Sequence, residues 1–261
     1  MFFFAGRWKG GTMKQVRWPI WFVLLTLGVF SGGILRAQEA SAPEAVVHSA
    51  IAPEPRADDW WIQRHEAMNA RVREGNVDLL FLGDSITHGW DGGGKAVWER
   101  YYADRNAVNL GISGDRTQHV LWRLDNGNIE GISPKLAVIM IGTNNFRDNS
   151  AEEIGEGVAA IVNKLRTRLP EMKVLLLAIF PREEKPGEVR DKLAKASAIA
   201  AETAQDDMVW YLDINCEFLD ADGTLPKEVM PDFLHPNEEG YAIWAHAIEP
   251  KVAELLGQAT P

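Results

Sequence analysis

Residues 79–90 read LLFLGDSITHGW, an apolar run that stops at Gly83-Asp84-Ser85 and presents a serine at its end. A serine placed there suits nucleophilic attack on an ester. Such chemistry needs an exposed hydroxyl, a base to take its proton, a group to orient the base, and donors for the developing oxyanion. Ser85 supplies the hydroxyl. His235, in the stretch PDFLHP (231–236), suits the base, since imidazole titrates near neutral pH. Asp232, three residues earlier, is placed to reach the far ring nitrogen and fix its tautomer. Donors are available from the backbone N–H of Ser85, the backbone N–H of Gly114 in NLGISGD (109–115), and the side-chain amide of Asn144 in GTNN (142–145).

Each piece alone has a plainer use. Gly-Asp-Ser is a common turn, Gly111 and Gly114 permit tight bends, Asn144 forms turns, and Asp near a helix start is ordinary. The weight lies in their order and in the elements that must position them. Strand-like apolar runs are read at 78–82, 107–110, 136–141, 174–179 and 209–213, with helical stretches at about 94–103, 116–124, 151–168, 188–205 and 238–255. Ile154, Val158, Ile161 and Leu165 recur at helical spacing, and LAVIMI shows no polar alternation, as in a strand covered on both faces. Alternating strands and helices predict a parallel sheet with right-handed crossovers, hence a three-layer α/β/α sandwich. Ligands of such sheets bind at the carboxyl ends of the strands, where GDS, NLGISGD and GTNN all fall.

The blocks FLGDSI, NLGISGD, GTNN and DFLH resemble those of the SGNH (GDSL) hydrolases, and within them the catalytic subunits of intracellular-type platelet-activating factor acetylhydrolase. The likeness also takes in DRTQHVLWRLDNG (115–127) and FPREEKP (180–186), and runs over about 58–255. It implies a flavodoxin-like sandwich on five parallel strands and a serine esterase acting on short, acetyl-type esters of a carbohydrate or lipid. By motif, Ser85 is the nucleophile, Asp232 and His235 complete the triad, and Gly114 and Asn144 join Ser85 in the oxyanion hole. The resemblance also implies that Ile86, Leu234 and Thr143 wall a small acyl pocket. The family's usual Gly-x-Asn-Asp block ends here in Asn145, and Ile86 stands where the family name has leucine. Two other readings share the fold: a non-catalytic carbohydrate- or envelope-binding protein, and a longer-chain lysophospholipase or thioesterase.

The rest of the chain narrows the setting. Of 261 residues, 46% are hydrophobic and 25% charged, which suits one globular domain at 58–257. Ahead of it, Arg7, Lys9, Lys14 and Arg17 precede an apolar run from Ile20 to Phe30, and ILRAQEASA follows. This reads as a signal peptide over 1–37, or as an uncleaved anchor from Trp18 to Leu35, with Met13 as an alternative start. The protein is therefore expected to be exported, to the periplasm or beyond, with membrane contact only through that segment. Residues 38–57 are rich in Ala, Pro and Glu and read as a flexible linker. Removing 1–37 leaves 22 basic against 37 acidic residues, a charge of −15 that argues against nucleic acid. The single cysteine, Cys216, excludes an internal disulfide and is expected in the core. GWDGGGKA (89–96) nearly spells a phosphate loop, but Ala96 stands where the Mg²⁺-binding hydroxyl belongs; RHEAMNA (64–70) has Asn69 in place of the second zinc-ligating histidine. His88, His119 and His246 are read as surface or packing residues, and Trp60, Trp61 and Trp98 as packing rather than a sugar platform. No cofactor or metal is called for; the expected partner is a small ester, and a homodimer is compatible with the chain.

Overall fold

A continuous apolar stretch of five residues cannot leave either face to water, so LLFLG at 79–83 must be a central strand. In the computed structural model, which describes residues 47–258, it is β1 (Leu79–Gly83), all five residues buried. Around it lie β2 (Ala107–Gly111), β3 (Leu136–Met140), β4 (Lys173–Leu177) and β5 (Val209–Leu212), every pairing parallel, in the order β2-β1-β3-β4-β5. Leu80 and Leu82 enter one hydrophobic cluster, with Val158 and Ile161 of α5 (Ala151–Arg168). Leu79 and Phe81 enter the other, with Trp244 and Ile248 of α7 (Glu238–Leu256). That is the expected three-layer sandwich.

The strand order matters for function. The chain goes from β1 to β2 on one side, then crosses back to β3 on the other, so the sheet's direction of growth reverses at β1. Crossovers then leave β1 and β3 in opposite senses, which opens a crevice above their carboxyl ends. Ser85 directly follows the residue after β1, and Thr143–Asn145 form a short 3-10 turn just after β3.

Four of the expected helices are found with ends shifted by no more than two residues or so: α3 (Lys95–Tyr101), α4 (Thr117–Asp125), α5 and α7. Ser150 caps α5 by accepting from Glu153 N–H at 3.2 Å, while Glu153 accepts from Ser150 N–H at 3.0 Å, a reciprocal capping box. The fifth, α6 (Glu188–Ala201), stops short of the expected 205, where Thr203 Oγ1 donates to Ala200 O at 2.8 Å and closes the end. The expected 174–179 strand gives way after Leu177, because Ile179 N–H is taken by Ser197 Oγ at 2.9 Å rather than by the sheet.

Three features differ from the reading of the sequence. Helix α1 (Asp59–Arg73) was not anticipated, although Trp61, His65, Met68 and Val72 are its buried stripe at helical spacing. The expected linker is not free over its second half: Ala50 is fully buried, its carbonyl accepts from Thr117 Oγ1 at 2.8 Å, and Glu54 N–H donates to Gln118 O at 3.2 Å. Small alanines and extended prolines make a low-profile strap as readily as a loose tether, and only a docking surface decides between them. Cys216 is exposed, in a 3-10 turn (Asn215–Phe218) whose core position is taken by Phe218. The signal or anchor reading and residues 38–46 lie outside the described residues.

The last helix reaches the site through one side chain. Tyr241 is 1% exposed and donates its hydroxyl to Ile86 O at 2.6 Å, tying α7 to the short helix α2 (Ser85–His88). Tyr241→Phe strands that buried carbonyl and is expected to cost about 1–3 kcal/mol, read from the urea midpoint at unchanged slope.

Candidate active site

Turning the chain from β1 into α2 within one residue demands close backbone approach. A Cβ on Gly83 would lie 2.1 Å from Thr87 Oγ1 and 2.3 Å from Met140 O, so only glycine fits where the strand meets the helix. Asp84 then caps α2, its Oδ1 accepting from Ile86 N–H at 3.0 Å. Ser85 emerges as the first helical residue, half-buried, with its N–H free as helix geometry requires.

Opposite it stands His235, with Nε2 2.8 Å from Ser85 Oγ and Nδ1 2.6 Å from Asp232 Oδ2. Asp232 Oδ1 accepts from the backbone N–H groups of Leu234 at 3.1 Å and His235 at 2.8 Å, which bends the loop back on itself. Phe233 takes a positive φ of 57° in that bend. Partial burial pulls the Asp232 carboxyl upward, but the hydrogen bonds from the His235 ring and from the two backbone amides outweigh it. The group is held below its ordinary range, ionised at neutral pH.

The two further candidate donors lie on the loops after β2 and β3, which the Asn144–Asp115 hydrogen bond joins. Gly114 has a φ of +80° in a turn closed by Asp115 N–H to Ile112 O at 3.1 Å, and its own N–H has no partner among the described residues. Asn144 Nδ2 donates one hydrogen to Asp115 O at 2.9 Å, leaving the other for a ligand. Asp115, fully buried, holds Arg123 Nε at 2.8 Å and Trp61 Nε1 at 2.6 Å. Arg123, equally buried, donates further to Leu110 O at 2.9 Å, Asn128 Oδ1 at 2.6 Å and Gly83 O at 3.3 Å. Burial pushes the Asp115 carboxyl up and the Arg123 charge opposes it; beside a guanidinium that does not deprotonate, the pair stays ionised.

Thus Ser85, His235 and Asp232 are brought together as expected, with Gly114 and Asn144 on flanking loops. Two of the three expected acyl-pocket residues, Ile86 and Thr143, need correction. Ile86 and Thr143 are fully buried, Ile86 in the α7-side core and Thr143 with its Oγ1 accepting from Arg182 at 3.2 Å. Ile86 follows Ser85 on a helix, which turns its side chain into the core rather than toward the hydroxyl. Leu234 is half-buried against the same cluster. Asn145, the departure from the family block, is buried too. Its Oδ1 accepts from Thr117 N–H at 3.1 Å, and its Nδ2 donates to Gln118 Oε1 at 3.1 Å and Asn149 Oδ1 at 3.0 Å. Those carbonyl acceptors need an amide donor, which an ionised aspartate would not supply.

A cleft of about 450 Å³ does border Ser85 and His235, on the side of His88, Ser113, Gly89, Gly92 and Gly93. Reading His88 as a surface or packing residue missed this. The signal was available, since His88 lies one helical turn after Ser85 on the same four-residue helix.

Beneath Ser85, Asp84 is fully buried and its Oδ2 has no partner. Burial pushes this carboxyl up to about 7, with the Asp115 charge adding to the shift and the Ile86 N–H opposing it. The folded chain therefore binds more protons here than the unfolded one between about pH 4 and 7, so this group's contribution to stability falls as pH rises through that window and is level above it. Asp84→Asn removes the titration. Its stability relative to wild type should rise by about 2 kcal/mol from pH 5 to pH 8, measured by urea unfolding at both.

Residues 81–243 match the GDSL-like Lipase/Acylhydrolase family. The chain is 36% identical over 226 residues to platelet-activating factor acetylhydrolase IB subunit alpha2 of Rattus norvegicus, covering 86% of this chain and 96% of that one. It is 33% identical over 207 residues to the human alpha1 subunit, covering 78% and 87%. In structure it is similar to an acetylxylan esterase from Geobacillus stearothermophilus, with a TM-score of 0.56 and 19% identity over 71% of this chain and 96% of that one. The chain belongs to the GDSL-like lipase/acylhydrolase family and is a carboxylic ester hydrolase.

Proposed function

We propose that the protein removes short acyl groups, acetyl above all, from an alcohol through a Ser85–His235–Asp232 triad. The observation that carries this reading is the hydrogen-bonded chain from Ser85 Oγ to His235 Nε2 at 2.8 Å and from His235 Nδ1 to Asp232 Oδ2 at 2.6 Å. His235 takes the Ser85 proton as Oγ attacks the ester carbonyl. Asp232 holds the proton on Nδ1 and stabilises the imidazolium that forms. The carbonyl oxygen, now negative, is met by the N–H groups of Ser85 and Gly114 and by the free amide hydrogen of Asn144. Collapse expels the alcohol, which leaves with the proton from His235. Water, activated by the same base, then releases the acid from Ser85. The acyl group is proposed as short by analogy with the acetylhydrolase subunits, since Ile86 and Thr143 do not form its walls. The proposal of export rests on the basic and apolar pattern of residues 7–36, and N-terminal sequencing of the protein recovered from intact cells tests it.

Ser85→Ala should lose hydrolysis of p-nitrophenyl acetate by several orders of magnitude with an unchanged unfolding curve. In the wild type, acetyl esters should exceed octanoyl esters in kcat/KM by at least about tenfold. A folded Ser85→Ala protein that still turns over would overturn the triad, and an optimum at octanoyl or longer would overturn the short-acyl reading. Asn144→Ala should lower kcat by ~10²–10³ with KM nearly unchanged, because its free hydrogen meets charge that exists only in the transition state. A change confined to KM would make Asn144 a substrate-binding residue instead.

A further inference from the structure

His235 has to return its proton to the departing alcohol, and the cleft bordering Ser85 and His235 offers that half of the ester a place within its reach. The chemistry of the cleft wall is one-sided. Gly89, Gly92 and Gly93 contribute bare backbone, and His88, Asp91 and Ser113 contribute polar groups; Pro236 and Tyr241 are the larger apolar surfaces. No leucine, isoleucine, valine, methionine or phenylalanine lines it among the described residues.

His88 is the informative member. Ser113 N–H donates to its Nδ1 at 3.2 Å. A backbone amide can only donate, so Nδ1 is the unprotonated nitrogen and the proton of the neutral ring sits on Nε2. Ser113 Oγ lies 2.9 Å from the same Nδ1 and can reinforce that choice. Burial, and then the Arg64 charge, lower the pKa of the ring below its ordinary value despite Asp91, so this neutral tautomer persists at neutral pH. Its Nε2–H has no protein partner among the described residues, and the ring borders the cleft. Asp91 is fixed as well: Arg64 Nη2 and Asn109 Nδ2 each hold one of its carboxylate oxygens at 2.8 Å.

We infer that the alcohol half of the substrate is a polyol or glycosyl unit with a free hydroxyl beside the acylated one, and that His88 Nε2–H donates to that hydroxyl. The inference rests on the esterase reading above and specifies its alcohol. A hydroxyl can accept from His88 and at the same time give its own proton to Asp91 or Ser113 Oγ. An ether oxygen in the same place can only accept, and leaves the second group unmatched. His88 thereby becomes a specificity-determining residue, and a lipid alcohol without hydroxyls is disfavoured in this cleft.

The test compares kcat/KM for a monoacetylated methyl glycoside having free neighbouring hydroxyls with that for its O-methylated counterpart. The wild type should favour the hydroxylated ester by roughly three- to tenfold. His88→Phe should bring the ratio close to one. His88→Gln should retain much of it, because the amide oxygen can accept from Ser113 N–H while the NH₂ donates to the ligand. Urea unfolding of each variant checks that it is folded, and the wild-type ratio stands as a test by itself. A wild-type ratio of one, or a ratio unchanged in folded His88→Phe, would overturn the inference while leaving the esterase reading in place. Failure of the wild type to hydrolyse even p-nitrophenyl acetate would overturn the esterase reading, and this inference with it.

Discussion

The buried Asp115–Arg123 pair is the interaction on which the rest of the site depends. Neither side chain has any exposed surface, yet between them they touch β1 at Gly83 O, β2 at Leu110 O and α1 through Trp61, while the Asp115 main chain accepts from Asn144. An ion pair in such a place contributes little net stability against a well-packed apolar substitute, but removing one partner strands the other at about 3–5 kcal/mol. Its use is geometric. The guanidinium is a rigid fork, so it fixes the spacing of the two strand ends it bridges. The carboxylate belongs to the residue after Gly114 and its carbonyl accepts from Asn144, so one position governs two of the three donors proposed for the oxyanion. Electrostatic stabilisation depends on donors set in place before charge develops.

The other half of the site is held differently. The loop from Pro231 to Pro236 is exposed at Asp232, and among the described residues no buried charge anchors it. Its shape comes from the Asp232 carboxylate, one oxygen capturing two backbone amides and the other the imidazole. One side chain therefore bends the loop and orients the imidazole. Tyr241 completes the frame from beneath, joining α7, which follows this loop, to the first turn after Ser85. The two halves meet at the Ser85–His235 hydrogen bond and, beneath it, at Tyr241 to Ile86 O, which makes the first contact sensitive to the packing of α7 on the sheet.

The short helix after β1 faces two ways. Ile86 and Thr87 turn inward and are buried, while Ser85 and His88, one helical turn apart, turn toward the cleft. This division explains why a reading by motif placed Ile86 at the substrate and passed over His88. Adjacent residues on a helix diverge by about 100°, whereas residues three or four apart share a face.

Much of the fold was legible in the chain because its strands are short, largely apolar and separated by helical periodicity, with β1 and β3 buried on both faces. Ser85, His235, Asp232, Gly114 and Asn144 could be singled out as candidates because each sits in a short local pattern at a strand end or before the last helix. Helix α1 had its stripe in the sequence, but its buried polar members, His65 and Asn69, blurred the pattern; they are satisfied by partners such as Asn128 and Asn126 O, far away in the chain. The docking of the strap at 47–57, the burial of Thr143 and Ile86, the exposure of Cys216 and the tautomer of His88 were decided only by tertiary structure. The reason is common to all four: each depends on which distant surface a side chain meets. Local sequence sets what a residue can do, and packing sets what it faces.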